Sequence, residues 1–95
     1  MTELDPVIHV QARLRIMALL EGLGPKDSIA FAKLQQTLEV TSGNLATHLK
    51  RLEENGYVSV SKVIEGRSPV TYVALTDPGR LAFAEYKTQL RSLLN

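Results

Sequence analysis

The sequence predicts an α+β domain in which a helix-turn-helix is followed by a β-hairpin and framed by two terminal helices. Three observations carry that reading. Residues 31–55 divide into two short segments of helical periodicity, the second with an apolar seam behind a polar face. After Gly56 the period changes to two, with a Gly/Pro turn in the middle of the run. Asp5-Pro6 and Thr76-Asp77-Pro78-Gly79 are cap-plus-proline signals that open a helix on either side.

The first helix is expected over residues 6–23. Asp5 is its cap, and Pro6 sits where a missing N–H costs nothing. Ala12, Ile16, Leu19, Leu20 and Leu23 form one apolar stripe, while Val10, Leu14 and Met17 form another. A helix apolar on two sides needs two neighbours, and a second subunit is one candidate. Gly22 and Gly24-Pro25 read as its stop. Asp27 to Phe31 is long enough only for a turn or a one-bridge strand. Leu34 and Leu38 mark a second helix from Phe31 to Leu38, and Glu39-Val40-Thr41 is the turn.

The helix after that turn is the most informative stretch. Thr41 or Ser42 can cap it, and Gly56 can stop it. Leu45, Leu49 and Leu52 fall on one face and belong to the core. Ser42, Asn44 and Thr47 then face outward near the slender N-terminal end, with Lys50 and Arg51 further on. Small donors and acceptors in front of cations suit a DNA major groove, where side chains reach base edges and cations meet phosphates. Each residue also has a plain reading. Ser42 is a possible cap, and Lys50 can pair with Glu54 one turn on.

The hairpin is expected over residues 57–75, with Glu65-Gly66-Arg67-Ser68-Pro69 as its exposed turn. Arg67 and Ser68 lie at the tip and Lys62 on the rising strand. An arginine there suits the negative potential of a narrow minor groove, and a lysine suits a phosphate. The last helix, residues 77–94, carries Phe83, Tyr86, Leu90 and Leu93 at a/d-like spacing, a seam suited to another helix.

The chain has 95 residues, one domain by size. Its formal net charge of +1 makes no global case for a nucleic-acid partner, so that case rests on where the charges lie. Cysteine is absent from the sequence, which excludes disulfides and thiolate metal sites within it. No apolar run is long enough for a membrane span. The acidic Met1-Thr2-Glu3-Leu4-Asp5 start lacks the pattern of a secretory signal, so a cytoplasmic location is expected. His9 and His48 have no metal-ligand spacing, and His48 is expected on the half-buried flank of the reading helix. There is no nucleophile–base arrangement or phosphate-cradling loop, so neither an enzyme nor a cofactor is expected.

The run from Asn44 to Val58, with His48-Leu49, Leu52-Glu53 and Gly56-Tyr57-Val58, resembles the recognition-helix signature of winged-helix transcriptional regulators, the MarR and ArsR groups in particular. Tyr72-Val73-Ala74-Leu75-Thr76-Asp77-Pro78-Gly79 resembles the join from wing to last helix in the same family. The resemblance spans about Asp5 to Leu94. It implies a winged helix-turn-helix: a three-helix core, a two-stranded wing and a long C-terminal dimerisation helix. It further implies a homodimer on double-stranded DNA. Ser42, Asn44, Thr47 and Lys50 would face bases or nearby phosphates, with Arg51, Lys62, Arg67 and Ser68 around them. Val10, Leu14, Met17, Phe83, Tyr86, Leu90 and Leu93 would form the subunit interface. Two departures bear on effectors. ArsR-type metal sensors carry cysteines beside the reading helix, and MarR-type proteins are usually longer. A rival reading is a winged helix that binds protein, favoured by the low net charge and the Glu53-Glu54 pair.

Overall fold

A computed structural model describes residues 3–95. Met1 and Thr2, the start of the acidic N-terminal segment, lie outside the described residues. The order is α1 (Gln11–Leu23), β1 (Ser28–Ala30), α2 (Phe31–Leu38), α3 (Ser42–Glu54), β2 (Val58–Glu65), β3 (Ser68–Leu75) and α4 (Asp77–Leu94). The strands form an antiparallel sheet in the order β1-β3-β2. The short Ser28–Ala30 stretch is therefore a true edge strand, paired across Ala74, Val73 and Tyr72, so the hairpin has a third strand at its root.

The first helix begins later than the sequence suggests. Asp5 caps a turn: its Oδ1 accepts from the Val7 and Ile8 amides at 2.8 and 3.3 Å. The short side chain satisfies local amides at once, and α1 starts only at Gln11. Val7 and Ile8 are buried by that turn. Gly22 also differs from expectation, since it lies within α1. Gly24, at φ +105°, ends the helix, a conformation that favours glycine.

One core holds the elements together. Ile16, Met17 and Leu20 of α1 meet Leu34 and Leu38 of α2, Leu45, Leu49 and Leu52 of α3, Val58, Val73 and Leu75 of the sheet, and Phe83 and Tyr86 of α4. The helix-turn-helix closes through Glu39, which adopts φ +56°, with the Glu39 and Val40 amides donating to Gln36 O and Gln35 O. Arg15 Nη2 donates to Leu38 O at 2.9 Å and so ties α1 to the end of α2.

The α3–β2 join and the start of α4 are packed as a unit. Tyr57 O accepts from the Thr76 amide at 3.1 Å. Thr76 Oγ1 donates to Gly56 O and accepts from the Gly79 amide, capping α4. A Cβ on Gly79 would stand 2.0 Å from Tyr57 O, so only glycine lets the helix approach this closely. Tyr57 itself reaches back: its hydroxyl donates to Asp5 Oδ2. Burial, with the Asp5 carboxylate beside it, pushes its pKa up to about 12.

Candidate nucleic-acid interface

α3 keeps the two-faced character read from the sequence. Leu45, Leu49 and Leu52 are buried, while Ser42, Asn44, Thr47, Lys50 and Arg51 are all exposed. Thr41 is the cap, its side chain accepting from the Asn44 amide at 3.1 Å. The Ser42 hydroxyl is thereby free of capping. Thr47 donates to Gly43 O at 2.9 Å, which holds its side chain against the helix and leaves lone pairs outward. Among the described residues the ion pair is Lys87 with Glu21, and the Lys50–Glu54 pairing that the spacing allows does not form.

The hairpin stands beside α3. From Ser61 to Pro69 every residue is exposed, so this half of it has no body beneath. The turn is shorter than the sequence suggests: Glu65 pairs with Ser68, leaving only Gly66 and Arg67 between the strands. Gly66 has φ +62°, suiting the first central position of a tight hairpin turn. Lys62, Arg67 and Ser68 are thus carried out on a two-stranded arm. An open groove of about 250 Å³ runs between α3 and the arm, lined by residues including Ala46, Lys50, Val60 and Thr71. Glu53 turns its carboxylate into this junction, where Oε2 accepts from the Val60 amide at 3.3 Å. That hydrogen bond directs the Glu53 carboxylate toward β2 and away from Glu54.

The residues expected at a subunit interface separate into two sets. Met17, Phe83 and Tyr86 point into the protomer's own core, at 0%, 3% and 1% exposure. These three are covered because α4 lies across α1, and its first half spends the seam on that contact. Lys87 Nζ bonding Glu21 at 2.7 Å and lying over the Phe83 ring secures the crossing. Val10, Leu14 and Leu90 are half-buried, and Leu93 is exposed. Leu81 and Leu94, not singled out in the sequence, are exposed on the same helix. Leu81 falls outside the spacing that starts at Phe83, which is why periodicity passed over it.

His48 is half-buried on the flank of α3, as expected, with Nδ1 at 3.4 Å from Arg13 Nη1. Arg13 also donates through Nε to Val7 O, joining the N-terminal turn to α3. His9 Nδ1 lies 2.8 Å from the Tyr86 hydroxyl. No group of three or more potential metal ligands occurs among the described residues. No helix among them is long and apolar enough to cross a membrane.

Comparison with known proteins agrees with this geometry. A family model described as a winged helix DNA-binding domain matches residues 12–94. An uncharacterised protein of Methanocaldococcus jannaschii is 43% identical over 88 residues, covering 92% of this chain and 91% of that one. A transcriptional regulator homologue from Pyrococcus horikoshii superposes with a TM-score of 0.84 at 34% identity, covering 93% of this chain and 84% of its own. An HTH-type transcriptional regulator of Bacillus subtilis is 37% identical over 70 residues, which is 74% of this chain but 40% of that protein.

Proposed function

We propose that this chain, which belongs to the winged helix DNA-binding domain family, is a sequence-specific transcriptional regulator that grips double-stranded DNA as a homodimer. The observation that carries the reading is α3. Its inner seam is fully spent on the core, and its outer face offers Ser42, Asn44, Thr47, Lys50 and Arg51 to solvent with no ion-pair partner among the described residues. In the major groove, Ser42, Asn44 and Thr47 read base edges, while Lys50 and Arg51 meet the backbone. Lys62, Arg67 and Ser68 on the hairpin hold the adjacent backbone or minor groove.

The net charge of +1 sets the scale of this grip. A single protomer brings few phosphate contacts, and pairing two doubles them. Leu93 and Leu94 at the end of α4, with half-buried Leu90, are the apolar surface on which a second copy packs. Two reading helices related by a two-fold axis predict a palindromic site, with half-sites about 34 Å apart. Selection of bound fragments from a randomised duplex library, followed by anisotropy titration at rising salt, tests the reading. A two-fold symmetric site and a steep loss of affinity with salt are expected. No enrichment, or binding indifferent to salt, refutes it.

A further inference from the structure

We propose that Ile64 and Pro69, at the outer end of the β2–β3 arm, form an apolar wedge that seats in the DNA minor groove and distorts a base step there. The inference rests on the DNA reading above and assigns a contact that the cations alone do not supply.

The strand register defines the wedge. Val58, Val60, Lys62 and Ile64 share one face of β2, opposite Leu75, Val73, Thr71 and Pro69. The inner end of this stripe is spent within the protomer: Val58 and Val73 are buried, and Val60 and Thr71 line the groove beside α3. The outer end has nothing beneath it, and Ile64 is 71% exposed. Val63 beside it is 45% exposed on the opposite face, and exposed aliphatics are in themselves ordinary. What distinguishes Ile64 is its company.

Lys62 lies on the same face, and Arg67 stands at the turn. Glu65, the acid at the tip, sits on the opposite face, where it accepts a hydrogen bond from the Tyr72 hydroxyl. The carboxylate is thereby drawn back along the outer face of the arm. The tip presents an apolar point flanked by cations, with its negative charge withdrawn. An apolar protein surface would leave both cations without partners, and an acidic one would not need the wedge. The minor groove meets both demands, with deoxyribose walls that are apolar and a negative potential between the phosphates. Aliphatic and proline side chains at such a place unstack flexible pyrimidine–purine steps. Pro69 is tolerated in its strand because β1 pairs with β3 only at Tyr72, Val73 and Ala74 and leaves no ladder there to break, and its ring fixes its own φ.

The test uses the full chain and duplexes that the parent protein selects from a randomised library. Anisotropy reads affinity at several salt concentrations, and circular permutation of the same duplex reads bending. Ile64→Ala is expected to weaken binding about fivefold and to reduce the bend, because a partly buried aliphatic contact is lost. Its salt slope stays at the parent value, since no charge is removed. Arg67→Ala instead lowers that slope by about 1, and Ile64→Met keeps affinity and bend. If the parent binds and Ile64→Ala matches it in both affinity and bend, the wedge is refuted and the DNA reading stands. If the parent selects no duplex, the underlying reading fails and takes the wedge with it. A change in sedimentation with Ile64→Ala would assign the tip to contact between copies of the chain, and would also overturn the proposal.

Discussion

Replacing Gly79 by alanine should destabilise the domain sharply, although the site is helical and alanine is the better helix former. The new Cβ would meet Tyr57 O at 2.0 Å, Tyr57 C at 2.8 Å and Tyr57 Cα at 2.9 Å, all backbone atoms with no rotamer to escape into. Relief requires the start of α4 to move away by well over an ångström. That movement strains or breaks the Thr76 amide bond to Tyr57 O and the Thr76 cap on the Gly79 amide. Overpacking costs about 1–3 kcal/mol, and the hydrogen bond and the cap about 1 kcal/mol each. Alanine's helix propensity returns about 1 kcal/mol. The net loss is roughly 2–4 kcal/mol, or at least about 10 °C in Tm for a domain of this size. Urea and thermal unfolding followed by circular dichroism, at fixed protomer concentration, measure it. Gly22→Ala is the internal control. It is also helical, its added Cβ meets nothing within 4 Å, and it should gain about 0.5–1 kcal/mol. A Gly79→Ala protein as stable as the parent would refute the close-approach argument.

Lys50→Ala should weaken DNA binding and flatten the log–log salt dependence by about 1, by loss of a single phosphate contact; an unchanged slope would remove Lys50 from the backbone. Burial, and after it the hydrogen bond to Asp5, hold the Tyr57 phenol protonated in the folded state, with its pKa raised from 10.0 to about 12. Its contribution is therefore complete below pH 10 and lost as pH climbs through about 12. Tyr57→Phe should be less stable than the parent at neutral pH and lose less on alkaline titration, as urea midpoints against pH would show. Leu93→Glu combined with Leu94→Glu should weaken a dimer by at least about 100-fold, because a two-fold interface counts each substitution twice. Sedimentation equilibrium reads this, and an unchanged dimer would move the interface off the end of α4.

What could be read from the sequence was whatever depends on local periodicity and local capping. Leu45, Leu49 and Leu52 identified the inner face of α3, and Thr76 with Pro78 marked the start of α4, because both signals act within one turn of helix. The change of period after Gly56 exposed the hairpin for the same reason. Long-range geometry left no such mark. An Asp-Pro pair announces a helix and an isolated turn equally well, and what decided was Asp5 turning to the Val7 and Ile8 amides and to Tyr57, a residue far along the chain. The close approach of Gly79 to Tyr57 joins two elements in space, so the glycine read only as part of a helix start. The apolar a/d-like seam of α4 was visible, but its partner was not. Periodicity shows that Phe83 and Tyr86 need cover and cannot say that α1 of the same protomer supplies it.

α3 is tied to the terminal elements along its flank and beyond its far end, and this bears on how such a unit responds to its surroundings. Before it, Arg15 ties α1 to the end of α2, and midway along it Arg13 lies beside His48 on the helix flank. At its far end, Gly56 and Tyr57 are held by Thr76, by the close contact of Gly79 and by Asp5. Every one of these partners belongs to a terminal element, and the buried leucines of α3 fill the space between. Buried leucines with ties at the flank and the far end leave α3 little freedom to swivel on its own. In a dimer built through α4, the distance between the two reading helices is therefore set by how the terminal helices of two protomers pack. A small rotation at that contact would be carried to the outer face of α3 with little loss, because α3 is packed into the same core as α1 and α4. The arm is the opposite case: beyond Ser61 it has no body beneath it, and the core does not hold it in place as it holds α3.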